Sequence, residues 1–173
     1  MIRNKLKSQK GFTLVELLVV IAIVAVISAI VFANYREGEK QFGLQRSAYK
    51  LTQDTRRAQN MAMGARTTGG DIPEGYGVYF NSAAPGQYIL FADEGDGLYG
   101  SGDTDVETLE LESGVSITDL SPASPLTIVF YPPDPSVLIS GNPAITSSSI
   151  TLNYQGGSSK TISVNKVGLI ETQ

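Results

Sequence analysis

The chain contains no cysteine and no histidine. Without cysteine there is no disulfide, no thiolate-ligated zinc and no thiol nucleophile. Without histidine the commonest general base and the commonest metal ligand are also gone. Most ordinary catalytic constellations are thereby excluded by composition. A missing disulfide does not exclude an extracytoplasmic location, because residues 34–173 are long enough to bury a core without covalent staples.

Charge of one sign is also missing from whole stretches. Residues 1–11 carry Arg3, Lys5, Lys7 and Lys10 and no acid. Residues 67–159 carry twelve acidic residues and no lysine or arginine. Between them, residues 34–66 hold seven basic residues against three acidic ones, a local net of +4. This predicts a basic stem and an acidic head, and a head that repels phosphates and takes no nucleic acid.

What the N-terminal region has instead is a long apolar run. Leu17 to Ala33 reads LLVVIAIVAVISAIVFA, with Ser28 its one polar side chain. A helix over 12–33 would be about 33 Å long, enough to cross a hydrocarbon core of about 30 Å. Four basic residues precede it and a mixed Arg36-Glu37-Glu39-Lys40 follows, which places the N-terminus in the cytoplasm and the remainder outside. Glu16 interrupts the apolar pattern at its edge. A carboxylate there must reach water or find a cation, because an ionisable group near the centre of a membrane costs roughly 2.5–3.5 kcal/mol on insertion scales.

Lys10-Gly11-Phe12-Thr13-Leu14-Val15-Glu16-Leu17, running directly into the apolar segment, resembles the processing site of type IV prepilins and type II secretion pseudopilins. The resemblance covers roughly residues 5–35. It implies a leader, residues 1–11, removed by a prepilin peptidase between Gly11 and Phe12, followed by N-methylation of Phe12. It also implies a role in filament assembly for Glu16, fifth from the new end. Partners implied are the peptidase, other pilin or pseudopilin subunits, an inner-membrane assembly platform and the lipid bilayer. A physical reason for the constellation exists beside the family. Cleavage creates an ammonium at Phe12, and in a dry helix bundle that ammonium can pair with a neighbouring copy's Glu16, so that each buried charge has a partner and the stagger is fixed. Ala22, Ala25, Ser28 and Ala29 are small enough for close helix approach, or are ordinary membrane filler. A competing reading takes Val31-Phe32-Ala33 as a secretory cleavage site releasing a soluble protein at Asn34; the apolar run is long for that role.

Beyond the membrane, residues 35–64 contain no proline, and Leu44, Ala48, Leu51, Thr55, Ala58 and Ala62 recur at spacings of four and three, predicting a helix with one face packed. Arg46, Lys50, Arg56 and Arg57 fall off that face and read as solvated. Gly38 and Gly43 mark a candidate bend. After Gly69-Gly70-Asp71-Ile72-Pro73 the texture turns to short β-rich runs: 76–80, 87–92, 107–111, 115–120, 126–131, 137–140, 149–154, 160–164 and 169–171. Gln155-Gly156-Gly157-Ser158 is a hairpin turn. The expected fold is α+β: a long N-terminal helix, membrane half plus amphipathic stem, packed on a C-terminal antiparallel β head. The domains are leader 1–11, membrane helix 12–33, stem 34–66 and head 67–173. Arg56-Arg57-Ala58-Gln59 followed by small apolar residues resembles the H-type, or fimbrial T-type, minor branch of the family.

Gly95-Asp96-Gly97-Leu98-Tyr99-Gly100 matches GxGxxG in letters, but it sits among acids and lacks the strand-then-helix setting of a dinucleotide site. The same stretch gathers Asp93, Glu94, Asp96, Asp103 and Asp105 on a glycine-rich loop, the oxygen chemistry that Ca²⁺ prefers, though without the spacing of an EF-hand. The resemblance adds that related major pseudopilins bind calcium in a C-terminal loop. A solvated acidic hairpin tip is the alternative. Ser and Thr are abundant but have no histidine to activate them, so no catalytic residue is assigned and the chain is not read as an enzyme. The functional expectation is a pilus or pseudopilus subunit in the cytoplasmic membrane. The alternative is a tip subunit whose head holds calcium, a substrate or DNA.

Overall fold

The computed structural model describes residues 11–70, 72–134 and 136–173, without the side chains of 33–37. Residues 1–10 of the basic leader, residue 71 of the predicted break and residue 135 lie outside the described residues, as does the side chain of Asn34. Two compact units are present, Met1–Glu39 and Lys40–Gln173. One helix, α1 (Leu14–Met63), contributes to both. In the first unit it is apolar and exposed: Leu14–Phe32 has mean hydropathy 3.1 and buries none of its window.

The helix starts two residues later than expected, because Thr13 caps it, and ends at Met63 rather than at 66. The end is a Schellman turn. Arg66 N bonds to Met61 O at 3.2 Å and Ala65 N to Ala62 O at 3.1 Å, with Ala65 at φ 43° in the left-handed position that glycine usually takes. Gly38 and Gly43 do not break α1. Gly43 is buried, and a Cβ there would make ordinary contact with the Tyr154 ring at 3.8 Å, so the glycine costs the helix about 1 kcal/mol without breaking it.

The head holds two antiparallel sheets rather than one. β1 (Gly75–Phe80), β2 (Gln87–Asp93), β3 (Thr104–Glu110), β5 (Leu126–Tyr131) and β6 (Ser136–Ile139) form one in the order β3-β2-β1-β5-β6. β4 (Val115–Ser121), β7 (Ser147–Tyr154), β8 (Ser159–Asn165) and β9 (Ile170–Thr172) form the other in the order β4-β7-β8-β9. The predicted β7–β8 turn closes with Gln155 and Gly156 both at positive φ and Gly157 N on Tyr154 O at 2.9 Å, the primed geometry that matches strand twist. At the centre of β1, Gly77 is obligatory: a Cβ would meet the Phe91 ring at 2.6 Å and Ile128 O at 2.9 Å.

All six residues of the predicted stem face are buried, and the five apolar ones pack into one cluster with Val78, Leu90, Ile128, Leu152 and Ile162. Thr52 and Thr55 enter the buried face without leaving orphan hydroxyls, since each donates to the carbonyl four residues back, Ala48 and Leu51. The four basic residues expected to be solvated are exposed, and each also reaches the head. Arg46 meets Glu112 at 3.4 Å and Arg57 meets Glu107 at 2.6 Å. Lys50 donates to Glu110 O at 3.0 Å and Arg56 to Ile170 O at 3.3 Å. The two ion pairs have a simple cause: Glu107 sits on β3 and Glu112 in the β3–β4 turn, within reach of the basic stem. Both ion pairs are exposed and contribute about 0–1 kcal/mol each, so they set the helix's lateral position more than its stability.

Candidate functional site

Gly11, Phe12 and Thr13 precede the first helical turn, and Phe12 is 82% exposed. Thr13 is the N-cap. Its carbonyl accepts from Leu17 N at 3.2 Å and its hydroxyl from Glu16 N at 3.2 Å, satisfying donors that a helix start leaves free. Thr-x-x-Glu is also the capping-box pattern, a local signal present in Thr13 to Glu16. The cap has two consequences. The Gly11-Phe12 bond lies in non-helical chain, where a peptidase cleft can take it in extended form. Glu16 is held at the third helical position, in the first turn, where a carboxylate complements the helix dipole. Residues 33 and 34, the competing cleavage site, lie inside α1.

The acidic residues of the β2–β3 loop divide into two groups. Carboxylate oxygens of Asp93, Asp96 and Asp103 lie within 4.8 Å of one another. Glu94 does not join them, and Asp105 instead accepts the Tyr99 hydroxyl at 2.9 Å. The three converging carboxylates also organise the loop. Asp93, fully buried, accepts Gly95 N at 2.9 Å, Gly97 N at 3.1 Å and the Tyr131 hydroxyl at 2.6 Å. Asp103 accepts Glu94 N at 3.2 Å and Gly100 N at 2.7 Å, and Asp96 accepts Leu98 N at 2.8 Å. Gly97 has φ +74°, and a Cβ there would clash with Leu138, so the GxGxxG letters reflect turn geometry. Tyr131, 38 residues from Asp93, could not be found by spacing.

Burial pushes the Asp93 carboxyl above the usual carboxylate range and the Asp103 charge adds to it, while the bonds from Tyr131 and the two glycines oppose the shift. A carboxyl raised on folding binds more protons in the native state, so its contribution to stability is greatest in acid and is lost as pH rises from about 3.9 through the folded value. The Asp93→Asn variant should therefore show a melting temperature that falls less, or rises more, between about pH 4 and 7 than that of the parent. Thermal melts of both detergent-solubilised chains across that range check it, and parallel curves would refute it.

Residues 6–32 match the family described as the prokaryotic N-terminal methylation motif. That segment is similar to the N-terminus of type IV prepilin-like and pseudopilin proteins, and the α+β architecture of the chain is pilin-like. That family is structural rather than enzymatic. The one apolar span found among the described residues, Leu14–Phe32, fits a single-pass membrane protein. No curated protein and no solved structure matches the chain.

Proposed function

We propose that this chain is a filament subunit, cut between Gly11 and Phe12, methylated on Phe12 and assembled from the cytoplasmic membrane through α1. The observation that carries the reading is the methylation motif at residues 6–32 continuing into an apolar helix that buries nothing within its own chain. Such a surface needs lipid or neighbouring helices, and assembly exchanges the first for the second. The head faces outward from the membrane on this reading, and Glu16 meets the Phe12 ammonium of the next copy. The finer assignment to the H-type branch rests on Arg56-Arg57-Ala58-Gln59. Intact mass and N-terminal sequencing after expression with a prepilin peptidase test the proposal. The expected product starts at Phe12 with one added methyl group. A product starting at Asn34 would mean a secreted domain and would overturn it.

Calcium binding by the head is a second reading, favoured by the convergence of Asp93, Asp96 and Asp103. These three would hold the ion, and its charge would relieve the crowding of carboxylates that burial and Asp103 impose on Asp93. Millimolar Ca²⁺ is then expected to raise the melting temperature of the chain and that of Asp96→Asn by less. An unchanged melt removes the metal.

A further inference from the structure

The five-stranded sheet has a second apolar face, turned away from the stem. Asp105, Phe91, Gly77, Val129 and Leu138 are register partners in one row across β3, β2, β1, β5 and β6. Their neighbours one residue along, Val78, Leu90, Ile128 and Ile139, belong to the core that packs on α1, so strand alternation points the row to the opposite side. Phe91 and Val129 are nevertheless both 0% exposed.

What covers them is the β2–β3 loop, residues 94–103. Tyr99 lies on Tyr79 with ring centroids 4.4 Å apart and meets Phe91 edge-on at 5.2 Å. Gly97 sits against Leu138, and a Cβ at Gly141 would come within 3.1 Å of Leu98 Cγ. The cover is thin, since Leu98 is 46% exposed and Tyr99 is only half-buried. Charge works against it. Carboxylate oxygens of Asp93, Asp96 and Asp103 stand within 4.8 Å of one another, Glu94 and Asp105 flank them, and residues 67–159 contain no lysine or arginine to offset them.

We propose that residues 94–103 are a lid that opens as a unit while the head stays folded, and that the mutual repulsion of its carboxylates sets how often it opens. Closure gains the apolar contacts of Leu98 and Tyr99 and confines the charges. Opening separates the charges and bares Phe91, Val129 and Leu138. Gly95 and Gly97, at φ 109° and 74°, supply the hinge, and below it the pairs Phe91–Asp105 and Ala92–Thr104 keep β2 and β3 joined. Salt screens the repulsion, because the Debye length falls from about 30 Å at 0.01 M to about 3 Å at 1 M. The lid is therefore held shut at high ionic strength and loosened at low, which makes the apolar character of the head's outer side depend on the medium. This device stands apart from the filament reading and survives its failure.

The absence of cysteine makes the test clean. Val129→Cys places a thiol under the lid, and Ile128→Cys places one in the main core, next to it on β5 and equally buried. Each full-length, detergent-solubilised variant is labelled with an uncharged maleimide at fixed pH and with a calcium chelator present, and denaturant unfolding gives the rate that its global stability alone would allow. At about 0.01 M salt Val129→Cys should exceed its own global rate at least about tenfold, while Ile128→Cys matches its own. At about 1 M salt the excess at Val129→Cys should shrink at least about threefold. Asp96→Asn removes one converging charge and keeps an acceptor for Leu98 N, so it should slow labelling of Val129→Cys in low salt and flatten the salt dependence. Tyr99→Ala should speed labelling of Val129→Cys and leave Ile128→Cys at its global rate. Labelling of both thiols at their global rates would overturn the lid. An excess at Val129→Cys that responds neither to salt nor to Asp96→Asn would overturn its control by charge.

Discussion

Replacing Glu16 by Ala is expected to leave the Gly11-Phe12 bond cleavable and to lower filament incorporation about a hundredfold or more. On the proposed assembly the change strands the Phe12 ammonium of a neighbour in a dry bundle, and removing one partner of a buried pair costs roughly 3–5 kcal/mol. Cleavage should survive because the bond precedes the Thr13 cap, and the backbone bond from Glu16 N to Thr13 is independent of the side chain. Glu16→Gln separates charge from shape: it keeps volume and a hydrogen-bonding tip, and it should assemble as poorly as Ala if pairing with the ammonium is what matters. The measurement is the processed protein in membrane and sheared-filament fractions. Normal incorporation of Glu16→Ala would sink the mechanism.

What the sequence discloses depends on the range of the interaction concerned. Local periodicity located all nine strands and the buried stem stripe, because both depend on which face of a short segment is apolar. The methylation motif at residues 6–32 was legible for the same reason, since its distinguishing residues are neighbours in sequence. That the basic stem residues are solvated was legible, but not which groups of the head they meet. A helix wheel shows that Arg46, Lys50, Arg56 and Arg57 leave the apolar face, but whether a carboxylate or carbonyl stands 50 to 114 residues away is a property of topology. The split of the head into two sheets was hidden for the same cause, as strand partners are chosen by the whole core. The acidic loop was recognised by composition, but the separation of its carboxylates into a converging trio and two outliers required the turn made by Gly95 and Gly97.

The hold of the head on its stem leads to the second large effect. Leu51 is fully buried on α1, flanked along the same stripe by Ala48, Thr55 and Ala58, all too small to swing into a vacated space. Leu51→Ala should therefore leave most of its cavity unfilled and cost about 3–5 kcal/mol, the upper part of the usual range for such a truncation. Against a total stability of about 5–15 kcal/mol for a domain, that is a large share. Arg57→Ala, which removes the 2.6 Å pair with Glu107, should cost no more than about 1 kcal/mol, because both side chains are 43% exposed. Denaturant unfolding of the two variants in the same detergent decides the point. Equal losses would mean that the ion pairs, and not the apolar stripe, fix the stem. The expected inequality places the energy in the stripe and the alignment in the charges, so a stem loosened by Leu51→Ala would carry its membrane segment intact while the head unfolds more readily, and the defect would appear as proteolysis of the head before any loss of processing at Gly11.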